Sequence, residues 1–300
     1  MAEFKFGFEE AWFRLILKKL PKHPDLFLPR AVEKAQAILR VGKLKVGAAR
    51  AWAEAAGIVC KKKNDFYLTP LGKIIARHDP DLEEDGVWWV IHYNLARNTS
   101  SAWFYSFYFN KFSLDQFSRD QLEKQLRSFW DKTHDNPMTD SVFDKLIFSP
   151  LKQAFEGTRL GEEFRFWQTN EETDYIRAPH NTSPFPKAIL AYALLDWGKQ
   201  QQRQSVHFEK LLESGGIGKI FRLEREILDS LLIDIGEYYE KKVGWISHTA
   251  GLNSISIMDI HPLVMVSTYY HELDGEEPVA AFSIGEKEVN KILNQEMIQE

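Results

Sequence analysis

Over most of this chain the apolar residues recur at helical spacing. A first amphipathic helix is predicted from about Phe8 to Leu20, stopping before Pro21. Pro29 suits the first turn of a second helix, where its missing N–H costs nothing, and Val32, Ala35 and Leu39 share one face of that helix. Arg40-Val41-Gly42-Lys43 reads as a short turn, with Gly42 able to take a positive φ. A third helix runs through Ala56, with Gly57 in the usual stop position.

The pattern then changes. Ile58-Val59-Cys60 and Phe66-Tyr67-Leu68 are predicted strands, joined by Lys61-Lys62-Lys63-Asn64-Asp65 as a polar turn. Thr69 offers an N-cap with Pro70 at the first helical position, opening a helix with Leu71, Ile74 and Ile75 inward. Helix, turn, helix, basic hairpin, helix is the order of a winged helix-turn-helix, here from about Ala31 to Arg77.

Two aromatic segments follow, Val87–Tyr93 and Trp103–Phe109, predicted as a packed helix pair whose rings form core rather than a platform for bases. Further helices are expected over Phe112–Lys132, from a Thr139 cap to Phe148, and over Pro150–Phe155. Others are expected over Lys187–Trp197, Phe208–Leu212, Arg222–Glu240 and Asp259–His271. Short strands are expected at Phe164-Arg165-Phe166 and Tyr175-Ile176, with Pro179, Pro184 and Pro186 marking a loop. The expected fold class is mainly α. A winged helix-turn-helix with a small β wing occupies residues 1–80. An aromatic-rich helical domain, which also reads as a second helix-turn-helix-like unit, occupies 81–160, and a helical domain with short strands occupies 161–300.

Charge sharpens this picture. The 300 residues carry a net charge of −5, yet Met1–Lys63 holds 14 Lys/Arg against 6 Asp/Glu, a net of +8 that leaves −13 for the remainder. Such separation suits a basic surface for polyanions on an acidic body; scattered solvated charge is the plainer alternative. No stretch approaches the roughly 20 apolar residues of a bilayer span. The N-terminal segment has acidic residues and no small-residue cleavage site, so a cytoplasmic protein without a signal peptide is expected. Cys60 is the only cysteine, which excludes an intramolecular disulfide and cysteine-rich metal sites.

On the third helix, Val46, Ala49, Ala53 and Ala56 fall on one side and can pack on the second helix. Gly47, Ala48, Ala51 and Ala55 form an opposite strip of small residues, flanked by Lys43 and Arg50 on one edge and by Lys45 and Trp52 on the other. Small residues allow close approach to a duplex, flanking cations neutralise phosphates, and Arg50 is the one evident bidentate donor to a base. Trp52 is read as core. Lys61, Lys62 and Lys63 at the wing add three point charges for a phosphate run. The candidate DNA-binding set is therefore Lys43, Lys45, Arg50, Lys61, Lys62 and Lys63, with a solvated helix face and a solubilising turn as the plainer readings. DNA affinity is expected to lie mainly in residues 1–80.

Catalytic signals are sparse. The nine histidines show no metal-ligand spacing, and Gly215-Gly216-Ile217-Gly218-Lys219 lacks the spacing of a phosphate-binding loop and the Ser/Thr that follows it. Glu9-Glu10 and Asp274-Gly275-Glu276-Glu277 could hold a divalent cation but read more simply as a helix start and a loop. Asp174, His180 and His248 are loop or cap residues.

Several segments together resemble a bacterial family first described without a function and encoded near enzymes like phosphoadenosine-phosphosulfate reductase. They are Val41-Gly42-Lys43-Leu44-Lys45-Val46, Ala49-Arg50-Ala51-Trp52, Thr69-Pro70-Leu71-Gly72 and Trp88-Trp89-Val90-Ile91-His92-Tyr93. Tyr192-Ala193-Leu194-Leu195-Asp196, Ile220-Phe221-Arg222-Leu223 and Thr249-Ala250-Gly251-Leu252 complete the set. This is the SspB-like family of the Ssp DNA phosphorothioation and defence system. The resemblance implies double-stranded DNA as a partner and a role in nicking one strand or presenting the DNA for sulfur transfer, with Mg or Mn as the divalent metal if the chain is a nickase. It also implies sulfur-transfer and ATPase proteins as companions. Where family members often carry a histidine followed by an acidic residue, this chain has Phe6-Gly7-Phe8-Glu9-Glu10, and no catalytic residue is carried over. The alternative is a non-enzymatic DNA-binding adaptor or transcriptional regulator.

Overall fold

Trp12, Phe13, Ile16 and Leu17 share one side of helix α1 (Glu10–Lys19) and are all buried, as their spacing requires. The computed structural model describes residues 4–133, 135–170, 174–179, 185–247 and 253–299. A 3-10 turn, Leu20–Lys22, accommodates Pro21, and a second, Pro29–Ala31, leads into α2 (Val32–Leu39). The left-handed residue of the next turn is Arg40, at φ 56°, not Gly42, which is extended at φ −70° as N-cap of α3 (Lys43–Ala55). The cause is the helix end: the backbone N–H of Arg40 closes on the Gln36 carbonyl, so the reversal comes at the cap itself. Gly57 takes φ +73° and ends α3, as its position predicts.

Strands β1 (Val59–Lys62) and β2 (Asp65–Leu68) pair antiparallel, with Lys62 opposite Asp65 across a Lys63-Asn64 turn. Lys61 and Lys62 are therefore strand residues rather than part of the expected turn. Helix α4 (Pro70–His78) is capped by Thr69, whose Oγ1 accepts from Gly72 N at 3.0 Å and donates to the Gly57 carbonyl at 2.6 Å. Thr69→Ala should cost about 1 kcal/mol of stability, and Thr69→Ser should recover most of it in urea unfolding.

Two compact units follow from the packing. Unit 1 combines residues 1–84 with 94–179, and unit 2 combines 85–93 with 180–300. Helix α5 (Asp85–Arg97) thus contributes to both. In unit 1, every residue of α6 (Trp103–Asn110) is buried. Tyr108 donates to the Phe166 carbonyl at 2.9 Å and Asn110 to that of Ala96 at 2.7 Å. In unit 2, Trp89 packs on Phe185 at 4.7 Å and Phe221 at 5.7 Å, and Tyr93 donates to the Ala193 carbonyl at 3.0 Å. The two aromatic segments are core, as expected, but they furnish two cores instead of one packed pair. A helix that is apolar all round buries every side, so its pattern does not specify its partner.

Unit 1 continues with β3 (Gln116–Phe117) and α7 (Arg119–Asp131), which starts later than expected because Ser118 and Gln121 form a capping box. Helix α8 (Asp140–Phe143) opens at the expected Thr139 cap and runs through a π turn, Asp144–Phe148, into α9 (Ser149–Phe155). Then come α10 (Arg159–Glu162), β4 (Gln168–Asn170) and β5 (Asp174–Ile176), with the strands ordered β3-β5-β4 in an antiparallel sheet. Phe164-Arg165-Phe166 is not a strand, since Arg165 takes φ +57°. Buried Arg177 donates to the carbonyls of Tyr108, Phe112 and Leu114, and lies over the Tyr108 ring at 4.7 Å and the Phe112 ring at 4.9 Å. It pins the connection from α6 to β3.

Unit 2 holds α11 (Lys187–Gln201), β6 (Ser205–His207), α12 (Glu209–Leu212), α13 (Ile217–Phe221) and α14 (Arg225–Tyr238). Strands β7 (Gly244–Ser247) and β8 (Ser254–Ile257) and helices α15 (Leu263–Leu273) and α16 (Pro278–Gln299) complete it. Its sheet is antiparallel, ordered β6-β8-β7. Helix α11 is buried nearly throughout Ala188–Gly198, consistent with its unbroken apolar run. The fold is mainly α, with three small sheets among the described residues. Among the described residues no helix is long and apolar enough to cross a membrane.

Candidate nucleic-acid interface

Helix α3 has one exposed stripe, not an open strip of small residues. Ala48, Ala51 and Ala55, expected to face outward, are buried, together with Val46, Ala49, Trp52 and Ala53. The reason lies far along the chain. Trp52 sits edge-on to Phe4, Phe8, Phe104 and Tyr105 at 5.0, 5.3, 5.8 and 6.2 Å, and its indole N–H donates to the Phe6 carbonyl at 2.8 Å. Asn94 donates to the Ala56 carbonyl at 2.9 Å and Asn98 to that of Ala55 at 3.4 Å. The small side chains admit the N-terminal segment and the end of α5. What remains accessible is a stripe of Lys43, Gly47, Arg50 and Glu54, spaced as one side of a helix, together with Leu44 and Lys45 in the first turn.

The predicted site residues separate into groups. The Arg50 guanidinium lies 5.6 Å over the Phe66 ring and 3.7 Å from Glu54, and Lys61 Nζ lies 5.9 Å over the same ring. Phe66 is buried edge-on to Phe27 at 5.5 Å, so one aromatic anchors a helix cation and a hairpin cation together. Lys43 is exposed at the first position of α3, two turns before Arg50 on the same stripe. Lys45 is drawn to another side, with Nζ 2.6 Å from Glu9 and 5.8 Å from the Phe6 and Trp12 rings. Strand alternation puts Lys62 with Cys60, Asp65 and Tyr67 on the hairpin face opposite Lys61 and Phe66. Lys63 occupies the turn with a left-handed φ of 53°. The three lysines of the hairpin therefore point to different places.

Helix α3 has no side-chain N-cap hydrogen bond and no acidic residue in its first turn, while Lys43 and Lys45 stand there. A cation near a helix N-terminus opposes the dipole, at a cost of about 0.3–1 kcal/mol. Helix stability therefore does not account for a lysine at position 43.

Of the acidic candidates, Glu9 and Glu10 have structural partners. Glu9 pairs with Lys45, and Glu10 accepts from Arg14 at 3.1 Å and from the Arg159 backbone N–H at 3.0 Å. Asp274–Glu277 is an exposed turn between α15 and α16 with Gly275 at φ 93°. The glycine-rich segment serves close packing: a Cβ on Gly218 would come within 2.9 Å of Leu212 and Leu228. His180, His248, the Asp174 side chain and Thr249-Ala250-Gly251-Leu252 lie outside the described residues.

Unit 2 adds two features with no sequence signal. Buried Tyr239 donates to Glu272 Oε1 at 2.6 Å; burial pushes the Glu272 carboxyl up and the tyrosine far above its usual range. An open cleft of about 390 Å³ is lined by the end of α11 and by β8, with Lys199, Arg203 and Asp259 among its residues.

Two solved structures share this fold. A magnesium ion-bound SspB crystal structure aligns with a TM-score of 0.74 at 17% identity, covering 98% of this chain and 96% of that one. An SspB crystal structure aligns with a TM-score of 0.75 at 16% identity and the same coverage. A comparison with curated protein sequences gave no match. The model of a family described as "Protein of unknown function (DUF4007)" matches residues 5–148 and 162–270, and this chain accordingly belongs to the DUF4007 family.

Proposed function

We propose that this protein binds duplex DNA through α3 and the β1–β2 hairpin, arranged as a winged helix-turn-helix within residues 1–80, and acts in DNA phosphorothioation and defence. The observation that carries the reading is the convergence of Arg50 and Lys61 over Phe66, on the side of the helix that also presents Lys43. These three cations can neutralise neighbouring phosphates. Arg50 is also able to make a paired contact to guanine if it leaves Glu54. With few base-reading side chains on the stripe, binding is led by the phosphate backbone. The likeness to SspB supports the system as far as fold goes, and the segment resemblance supplies the rest, including sulfur-transfer and ATPase partners. Nicking would use Mg or Mn to neutralise charge on the scissile phosphate.

A second reading, a DNA-binding adaptor without catalysis, is favoured by the engagement of Glu9 and Glu10 in structural contacts. One pair of measurements separates the two: duplex affinity across a salt series, and relaxation of supercoiled plasmid with and without Mg²⁺ or Mn²⁺. Salt-sensitive binding with metal-dependent relaxation supports the nickase, and salt-sensitive binding alone supports the adaptor. Affinity indifferent to salt overturns both.

A further inference from the structure

Among the described residues, unit 1 exposes two large hydrophobic side chains, and both belong to the proposed DNA-binding element: Leu44 at 66% and Tyr67 at 42%. Leu44 is the more exposed and the better placed. It is the second residue of α3, beside Lys43 and within one turn of Gly47. The positions a Cβ would take on Gly42 and Gly47 have nothing within 4 Å, so the space around Leu44 along this edge of the helix is open. A single exposed leucine is ordinary on a protein surface. A leucine next to the lysine that opens a cationic stripe, on a helix whose other apolar residues are buried, calls for a partner that is both anionic and locally apolar.

The major groove of DNA offers that combination. Phosphates line it, and the principal apolar group on its floor is the 5-methyl of thymine. The first residues of a recognition helix are those that reach base edges. The geometry points to Leu44 as a reader of thymine methyl groups in the major groove, held at reach by Lys43 and Arg50 on the phosphates. This inference rests on the DNA-binding reading above. It gives a backbone-led binder a preference for A·T-rich duplex without any hydrogen bond to a base.

The experiment uses the full chain and two duplex polymers, poly(dA–dT) and poly(dA–dU), which differ by the 5-methyl group alone. Fluorescence anisotropy should show the wild type binding the thymine duplex more tightly, by about threefold to fivefold for each methyl covered. Leu44→Ala should bind both duplexes equally, at about the wild-type affinity for the uracil duplex, and Leu44→Met should keep most of the preference. Tyr67→Ala should leave the ratio unchanged. Discrimination that persists in Leu44→Ala would trace to duplex shape and overturn the inference, as would a wild type that binds both polymers alike. Either result leaves salt-sensitive binding intact and the DNA-binding reading standing, whereas absence of salt-sensitive binding to both polymers removes that reading as well.

Discussion

Replacing Trp52 by alanine should destabilise unit 1 by about 3–5 kcal/mol, the usual cost of emptying a large aromatic site in a packed core. Trp52 is fully buried, four aromatic rings meet it edge-on, and its N–H serves the Phe6 carbonyl. Tyr105, one of those four, has its hydroxyl held well above the ordinary tyrosine range by burial. Trp52→Phe should lose less, since a smaller ring keeps part of the packing and forfeits the hydrogen bond. Urea unfolding monitored by circular dichroism measures both. A loss below about 1 kcal/mol for the alanine variant would mean that the N-terminal segment, rather than the tryptophan, holds α3 in place. Because Trp52 faces the core and not the exposed stripe, the folded variant should keep the wild-type salt dependence of DNA binding.

The second large effect concerns charge. Lys43→Ala, Arg50→Ala and Lys61→Ala combined should flatten the slope of log affinity against log salt by up to about 2.7, at roughly 0.9 per phosphate contact, and weaken binding on the order of a few hundredfold near 0.1 M salt. The loss should be similar on unrelated sequences, apart from any guanine contact made by Arg50. A control triple of Lys45, Lys62 and Lys63 to alanine removes the same formal charge. Lys45 is committed to Glu9 and Lys62 faces away from α3, so the control should change the slope by no more than the one contact available to Lys63. Equal slopes for the two triples would mean that net charge, not placement, sets affinity. The first triple should leave the fold intact, since the contacts it removes over Phe66 are worth about 0.5–1 kcal/mol each at such partly exposed sites.

What the sequence disclosed follows the range over which each signal acts. Pro29, Gly57, Thr69 and Pro70 act through their own backbone or the next few residues, and the elements they bound were legible. Gly42 misled because the helix end it was meant to reverse closed earlier, on Arg40. The face of α3 was misread for a different reason. Its small residues answer to Phe104, Tyr105, Asn94 and Asn98, and a helical wheel holds no information about chain some forty residues away. The strands of the two three-stranded sheets run two to four residues, too short for alternation to show. Arg177 gave no sign that it was core, since arginine is normally a surface residue.

The division of α5 also sets a timetable for biosynthesis. Unit 1 has all its residues once the chain reaches Pro179, but Trp88 and Trp89 belong to a unit whose other residues begin at His180. At roughly 5–20 residues per second, a ribosome takes on the order of ten seconds to add residues 180–300. Through that interval a finished neighbour and an apolar, tryptophan-bearing helical segment share one nascent chain, while the Phe185 and Phe221 that will cover Trp89 are still to be made or are newly emerging. Truncation near residue 180 leaves this condition permanent. Fragments ending there should be captured by chaperones or precipitate, whereas the full chain, once released, buries the segment and escapes both.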